Sequence, residues 1–308
     1  MKLNDSNISK TVFVTGANGE IGKAFVKYVL KETDLKLICI VRDTFLFLND
    51  EMFINCFLSR ITVISPDVFL DGLVFPSEQD VLVHLAFARS NKESREIAAS
   101  VEYSKHIFRV AKQIGIKHII YVSSQAVYGM YPGIRSELTP VSPISIYGMA
   151  KYASELLLED IYDSNDDDYV ILRLDNVITS QKLVKSLCKD AIENHKIILR
   201  GGQQLFSYID LDDVSTAILT CVDKKLSNRI YNVGPNEMRV CLIDIAETIF
   251  KIAMKHGNLI KIELHEEPIE LWAGMNTSAF ISETGWHPMF DLDEMIERVY
   301  CHVLRKRL

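Results

Sequence analysis

The chain has 308 residues, 48% apolar and 24% charged, with a formal net charge of −7. That length can bury a sizeable core, and the acidic balance speaks against nucleic acid or an anionic membrane as the main partner. Six scattered cysteines without a CxxC pair leave a metal site or redox motif without support, so no metal is expected.

The opening MKLNDSNISK lacks the apolar stretch of a signal peptide, and no run approaches the ~20 apolar residues of a membrane span. The expectation is a cytoplasmic chain. Thr11–Thr15 (TVFVT) predicts a strand, and Glu20–Glu32 carries Ile21, Ala24, Phe25, Tyr28 and Val29 as a helical stripe. Leu35–Val41, Ile61–Ser65 and Val81–Leu85 read as strands, followed by a helix from about Asn91 to Gly115. His118–Ser123 is the next strand, Tyr147–Tyr162 the next helix and Tyr169–Leu174 a further strand. These strands are nearly all apolar, as expected when helices cover both faces of a parallel sheet. The predicted fold is α/β, a doubly wound parallel sheet of the Rossmann type.

After Asn176 the rhythm loosens. A helix near Gln181–Asn194, strands at Lys196–Leu199 and Phe206–Ile209, and a helix from Leu211 to Asp223 follow. Arg229–Val233 reads as one more sheet strand, and Cys241–His256 and Asp291–Leu304 as helices of a smaller lobe. With no Gly/Pro/Ser linker, the two parts are expected to interleave. Residues 1–175 and 207–236 form the dinucleotide-binding part, and 176–206 and 237–308 a smaller α+β substrate lobe. Asp166–Asp168 reads as a solvated loop and Arg305–Arg307 as the basic end of a last helix.

TGANGEIG sets Gly16, Gly19 and Gly22 between the first strand and the first helix. Glycines there permit a tight turn and let backbone N–H groups approach a pyrophosphate at the helix N-terminus. Asn18, Glu20 and Ile21 belong to the same turn. About twenty residues on, Val41-Arg42-Asp43 stands where a carboxylate ordinarily holds the adenosine ribose. Arg42 would pair with a 2′-phosphate and leans the choice toward NADP, while Asp43 keeps NAD open. Asp67, in ISPDVF, is positioned for the adenine.

Tyr147 and Lys151 of YGMAK stand four residues apart, on one helix face. A free phenol is a poor base at neutral pH, but a neighbouring ammonium favours the phenolate. Tyr147 is therefore a candidate general acid/base for carbinol–carbonyl interconversion. Ser124, in YVSSQAVYG, can hydrogen-bond the same substrate oxygen.

In this order the pieces resemble the extended short-chain dehydrogenase/reductase family, the NAD-dependent epimerase/dehydratase group. DVLVHLAF (Asp80–Phe87), LRLDNV (Leu172–Val177), YIDLDDV (Tyr208–Val214), YNVG (Tyr231–Gly234) and ETGWHP (Glu283–Pro288) add to it. The resemblance implies that Gly16, Gly19 and Gly22 bind the pyrophosphate, and that His84-Leu85-Ala86 passes under the dinucleotide. It implies Ser124, Tyr147 and Lys151 as the catalytic set, with Lys151 also on the nicotinamide ribose. Ser123 would sit beside the cofactor, and Gln125 and Asn176 beside the substrate. A homodimer pairing the Asn91–Gly115 and Tyr147–Tyr162 helices is also implied, with a nucleotide sugar as substrate.

The departures are specific. Dehydratases of the group carry acidic residues just after the catalytic hydroxyl, where this chain has Gln125 and Ala126. Phe206 and the Glu270–Trp272 stretch stand where arginines often hold the substrate diphosphate; Arg89, Arg200 or Arg239 could compensate. Ser100 replaces an asparagine that often supports the lysine. The expected activity is epimerisation of a nucleotide sugar through a transient keto form. The alternatives are an NADPH-dependent ketoreductase of a nucleotide sugar or other carbonyl compound, and a non-catalytic dinucleotide sensor.

Overall fold

The computed structural model describes residues 10–50, 58–163, 168–224, 226, 230–265, 267 and 274–306. β1 (Thr11–Thr15) leads through the glycine turn into α1 (Glu20–Glu32), then β2 (Lys36–Ile40), α2 (Thr44–Leu48), β3 (Ile61–Ile64) and α3 (Pro66–Leu70). β4 (Val81–His84), α4 (Ser94–Gln113), β5 (His118–Ser124), α5 (Ile146–Ile161) and β6 (Asp168–Leu174) continue the alternation. β7 (Asn176–Val177), α6 (Lys182–Glu193), β8 (Lys196–Arg200), β9 (Leu205–Phe206), β10 (Tyr208–Ile209) and α7 (Leu211–Asp223) come next. The chain ends in β11 (Ile230–Val233), β12 (Val240–Cys241), α8 (Leu242–Lys255), β13 (Lys261–His265), α9 (Ser278–Thr284) and α10 (Leu292–Arg305).

Seven strands form the central sheet in the order β11-β6-β5-β4-β1-β2-β3. β1 pairs in parallel with β2 on one side and β4 on the other, so the winding reverses at the carboxyl end of β1. Ligands of open α/β sheets bind at such a switch point. Val12–Thr15 and the whole of β4 are buried, which explains their apolar composition. Thr15 and His84, polar yet buried at the ends of these strands, are the exceptions.

Contacts divide the chain into two units, Met1–Ser123, Met149–Leu172 and Ile218–Arg229 against Ser124–Gly148, Arg173–Ala217 and Ile230–Leu308. Residues 124–148, read from the sequence with the dinucleotide-binding part, cluster in the second unit. That unit has a core of its own, where Val184 and Leu187 of α6, Ile245 and Ile249 of α8, and Met295 and Val299 of α10 are buried together.

Among the elements that escape a periodicity reading are α2, α3 and β13. α2 and α3 have five residues each, too few for a stripe, and are held by caps at Asp43 and Ser65. β13 pairs in parallel with β8 but is largely exposed and so carries charge. Asp166, Asp167, Cys56 and Glu270–Trp272 lie outside the described residues. Among the described residues no helix is long and apolar enough to cross a membrane.

Candidate active site

The glycine turn is built for close approach. Gly16 has φ +68°, and a Cβ on it would fall 2.6 Å from the backbone nitrogen of Ala86. A Cβ on Gly22 would fall 2.2 Å from the Gly16 carbonyl oxygen. Gly19 caps α1 without a side chain, and Asn18 and Gly19 are exposed. The first-turn N–H groups at Glu20 and Ile21 therefore have no capping side chain and suit an anion.

Under this turn runs a buried polar chain whose direction follows from chemistry. Thr15 Oγ1 accepts from the backbone N–H groups of Leu85 (3.2 Å) and Ala86 (3.3 Å), so its own proton goes to His84 Nδ1 at 2.7 Å. His84 then carries its proton on Nε2 and donates to Ser104 Oγ at 2.9 Å, which donates to the Ser100 carbonyl. Burial, aided by Lys151, pulls the imidazole down to about 3, so it stays neutral. The Leu85-Ala86 segment is thereby fixed beside the glycine turn. Ser100 is also occupied, accepting from Ala88 N and donating to the Glu96 carbonyl.

Of the residues read from the sequence for the adenosine, Asp43 is committed to capping α2, accepting from Leu46 N at 2.8 Å. Arg42 is exposed. Arg42 and Asp67 both act on Tyr103 of α4, whose phenol is pushed up to about 12 mainly by burial.

The Ser124, Tyr147 and Lys151 candidates fall in different units. In the second unit, Ser124 closes β5 and accepts from Ala126 N at 3.2 Å. Tyr147, in the first turn of α5, is hydrogen-bonded to Ser124; burial nonetheless pushes its phenol up to about 12. The depressed phenol expected from the sequence is not found. Ser145 caps this helix by accepting from Gly148 N at 3.0 Å, and a Cβ at Gly148 would fall 2.5 Å from the Ala126 carbonyl oxygen.

In the first unit, Lys151 is buried and donates to the Val122 carbonyl at 2.8 Å, with its ammonium 4.0 Å from the Phe87 ring centroid. Burial pulls it down to about 7 against an upward pull from Glu155. Glu155, itself fully buried, accepts from Ser123 Oγ.

The remaining sequence candidates separate. Asn176 donates to the Ser207 carbonyl at 3.1 Å, while its backbone N–H donates to Asp175. Arg89 is paired with Glu20 at 3.1 Å. Arg200, exposed at the end of β8, pairs with Glu267 at 3.5 Å. Arg239 is exposed, and Phe206 stacks on Tyr208. Gln125 is gripped by Arg135. Among the described residues no cluster of His, Cys, Asp or Glu gathers to hold a metal.

The profile of the NAD dependent epimerase/dehydratase family matches residues 12–234. The chain belongs to that family. Within the family, human dTDP-D-glucose 4,6-dehydratase is 23% identical over 73% of this chain and 69% of its own. An uncharacterized UDP-glucose epimerase of Bacillus subtilis is 25% identical over 86% of this chain and 89% of its own. The solved structure of UDP-glucuronic acid 4-epimerase from Bacillus cereus in complex with NAD superposes with a TM-score of 0.79. It is 21% identical, covering 97% of this chain and 100% of that one.

For this epimerase/dehydratase-family chain, sequence reasoning missed Thr15, Tyr103, Arg135 and Glu155. Thr15 was legible in principle as the polar end of a buried strand. Glu155 and Arg135 carry no such signal, because charged residues on a helix or in a loop ordinarily read as solvated.

Proposed function

We propose that the protein is an NAD-dependent epimerase of a nucleotide sugar, with Tyr147 as acid/base, Ser124 as its partner on the substrate oxygen and Lys151 as the fixed cation. The observation that carries this reading is the Ser124–Tyr147 hydrogen bond on the helix that also holds Lys151 one turn further on. The residues present suit a dinucleotide. The Gly16 and Gly22 cradle would be filled by any side chain, and the open N-terminus of α1 suits a pyrophosphate. Gly16, Gly19, Gly22, Leu85, Ala86 and Lys151 would hold it.

When bound, NAD supplies a reversible hydride acceptor, so that a sugar hydroxyl can be taken to the ketone and restored on the other face. Tyr147 takes the hydroxyl proton and returns it, Ser124 donates to the same oxygen, and Lys151 favours the phenolate. NAD rather than NADP is taken because the solved neighbour holds NAD; Arg42 keeps NADP as the alternative. No carboxylate follows Ser124, which speaks against the elimination of the dehydratase relatives. Exposed Met149 and Leu156 on α5 support a homodimer through that helix.

The test is a panel of UDP- and dTDP-sugars incubated with the protein and NAD, with products separated by chromatography. Epimer formation without net NADH accumulation is expected. Tyr147→Phe is expected to lower turnover about 10²–10⁴-fold with sugar binding retained. Stoichiometric NADPH oxidation would favour a ketoreductase, and no turnover with any sugar would remove the enzymatic reading.

A further inference from the structure

Arg135 is 3% exposed, a charge buried in the second unit that the chemistry above does not use. Its main chain is fixed. The nitrogen donates to the Gly274 carbonyl at 3.1 Å, and the oxygen accepts from Asn276 N at 2.8 Å and Asn232 Nδ2 at 3.1 Å. Its Nη1 donates to Gln125 Oε1, and its Nε is buried without a partner. Asp175 is the nearby offsetting charge, but its oxygens accept from Asn176 N at 2.7 Å and from Ser207 Oγ. Among the described residues Arg135 has no ion pair.

A guanidinium has donors and no acceptor. Gln125 must therefore turn its carbonyl oxygen to Arg135, which leaves its NH₂ group for another partner. Among the described residues that NH₂ has no protein partner, and Gln125 is half-buried directly after Ser124. A free glutamine could flip to present either end. This one presents donors alone, with the buried Arg135 guanidinium behind them. Such a face rewards an acceptor oxygen on the ligand, and an anionic one most, because charge-assisted hydrogen bonds are the stronger kind.

We propose that Arg135 is a positioning residue that clamps Gln125, and that the resulting donor face beside Ser124 selects nucleotide sugars bearing a carboxylate next to the reacting carbon over those bearing a hydroxymethyl group. The proposal rests on the nucleotide-sugar reading of Ser124 and Tyr147. It assigns the substrate class to a uronate.

The test is calorimetric titration of the NAD-loaded protein with glucuronate and glucose, each as its UDP and dTDP conjugate. The wild type, Arg135→Lys, Arg135→Met and Gln125→Glu are compared. The wild type is expected to bind the uronate about tenfold or more tighter than the matched hexose, the scale of one hydrogen bond to a charged group. Arg135→Met and Gln125→Glu are expected to bring that ratio to about one or below, because the first frees the amide and the second replaces donors by acceptors. Arg135→Lys retains a cationic donor and is expected to keep most of the preference.

A merely structural role for Arg135 would weaken both sugars alike. Gln125→Glu tests the donor face even if Arg135→Met fails to fold. A wild-type ratio near one, or a ratio unmoved in Gln125→Glu, overturns the proposal while binding of either sugar leaves the nucleotide-sugar reading standing. No binding of any conjugate overturns that reading, and the proposal with it.

Discussion

Ser123 donates a hydrogen bond to Glu155, a carboxylate without exposed surface one helical turn beyond Lys151. Burial pulls the lysine down to about 7 and Glu155 pulls it up. An ammonium is charged below its pKa, so activity that needs the cation fades as pH rises through that value. Glu155→Gln removes the upward pull and moves the alkaline limb of the rate profile to lower pH. Activity at pH 7.5 is expected to fall about tenfold, the equivalent of roughly one pKa unit, and to recover as the assay is acidified. A pH–rate profile checks this; a limb that stays in place would mean that Glu155 does not govern the lysine.

Asp213 gives a pH dependence of stability. Its side chain is buried and accepts from Met289 N at 2.7 Å and Phe290 N at 3.4 Å, yet burial raises it to about 6 from 3.8. The folded state therefore holds a proton that the unfolded state has released between these values. Its contribution is full below the unfolded pKa and is lost as pH rises through about 6. Asp213→Asn, whose neutral amide mimics the protonated acid, is expected to melt close to the wild type at pH 4 and increasingly above it towards pH 7.5, melting temperatures being measured across that range. A constant gap would refute the assignment.

Gly22→Ala puts a methyl group 2.2 Å from the Gly16 oxygen and 2.7 Å from Ala17 Cα, all main chain. The turn must open, at about 1–3 kcal/mol. Dinucleotide affinity is expected to fall more than tenfold, with a lower melting temperature. Calorimetry with NAD reads the first and thermal scanning the second; unchanged affinity would detach the turn from cofactor binding.

Arg42→Ala discriminates the cofactors. Asp43 is occupied in the α2 cap, and Arg42, exposed just after β2, has no ion pair among the described residues. Loss of the guanidinium is expected to weaken NADP about tenfold, as for a charge-assisted hydrogen bond, and NAD less than twofold. Equal losses for both would show that the arginine does not read the 2′-position.

The sheet was legible because β1, β4 and β5 are buried apolar runs, and such runs survive any neighbour. The glycine turn was legible because a Cβ at Gly16 or Gly22 would meet main chain. Glu155 was not, since the Ser123 hydroxyl that meets it comes from a strand thirty-two residues away. Nor was Arg135, which sits in a Pro/Gly loop and is buried through contacts with residues 274 to 276. The raised phenol of Tyr147 was hidden for a related reason: the neighbours of a helix residue are set by spacing, but its dehydration is set by everything else around it.

Gly148 lets the first turn of α5 rest on the main chain at Ala126, so the span between the hydroxyl at 124 and the phenol at 147 is dictated by backbone against backbone. On the function proposed above, side chains such as Gln125 can be exchanged in pursuit of another sugar without detuning that span, so that substrate choice evolves apart from the chemistry, and position 148 is where that independence would be lost.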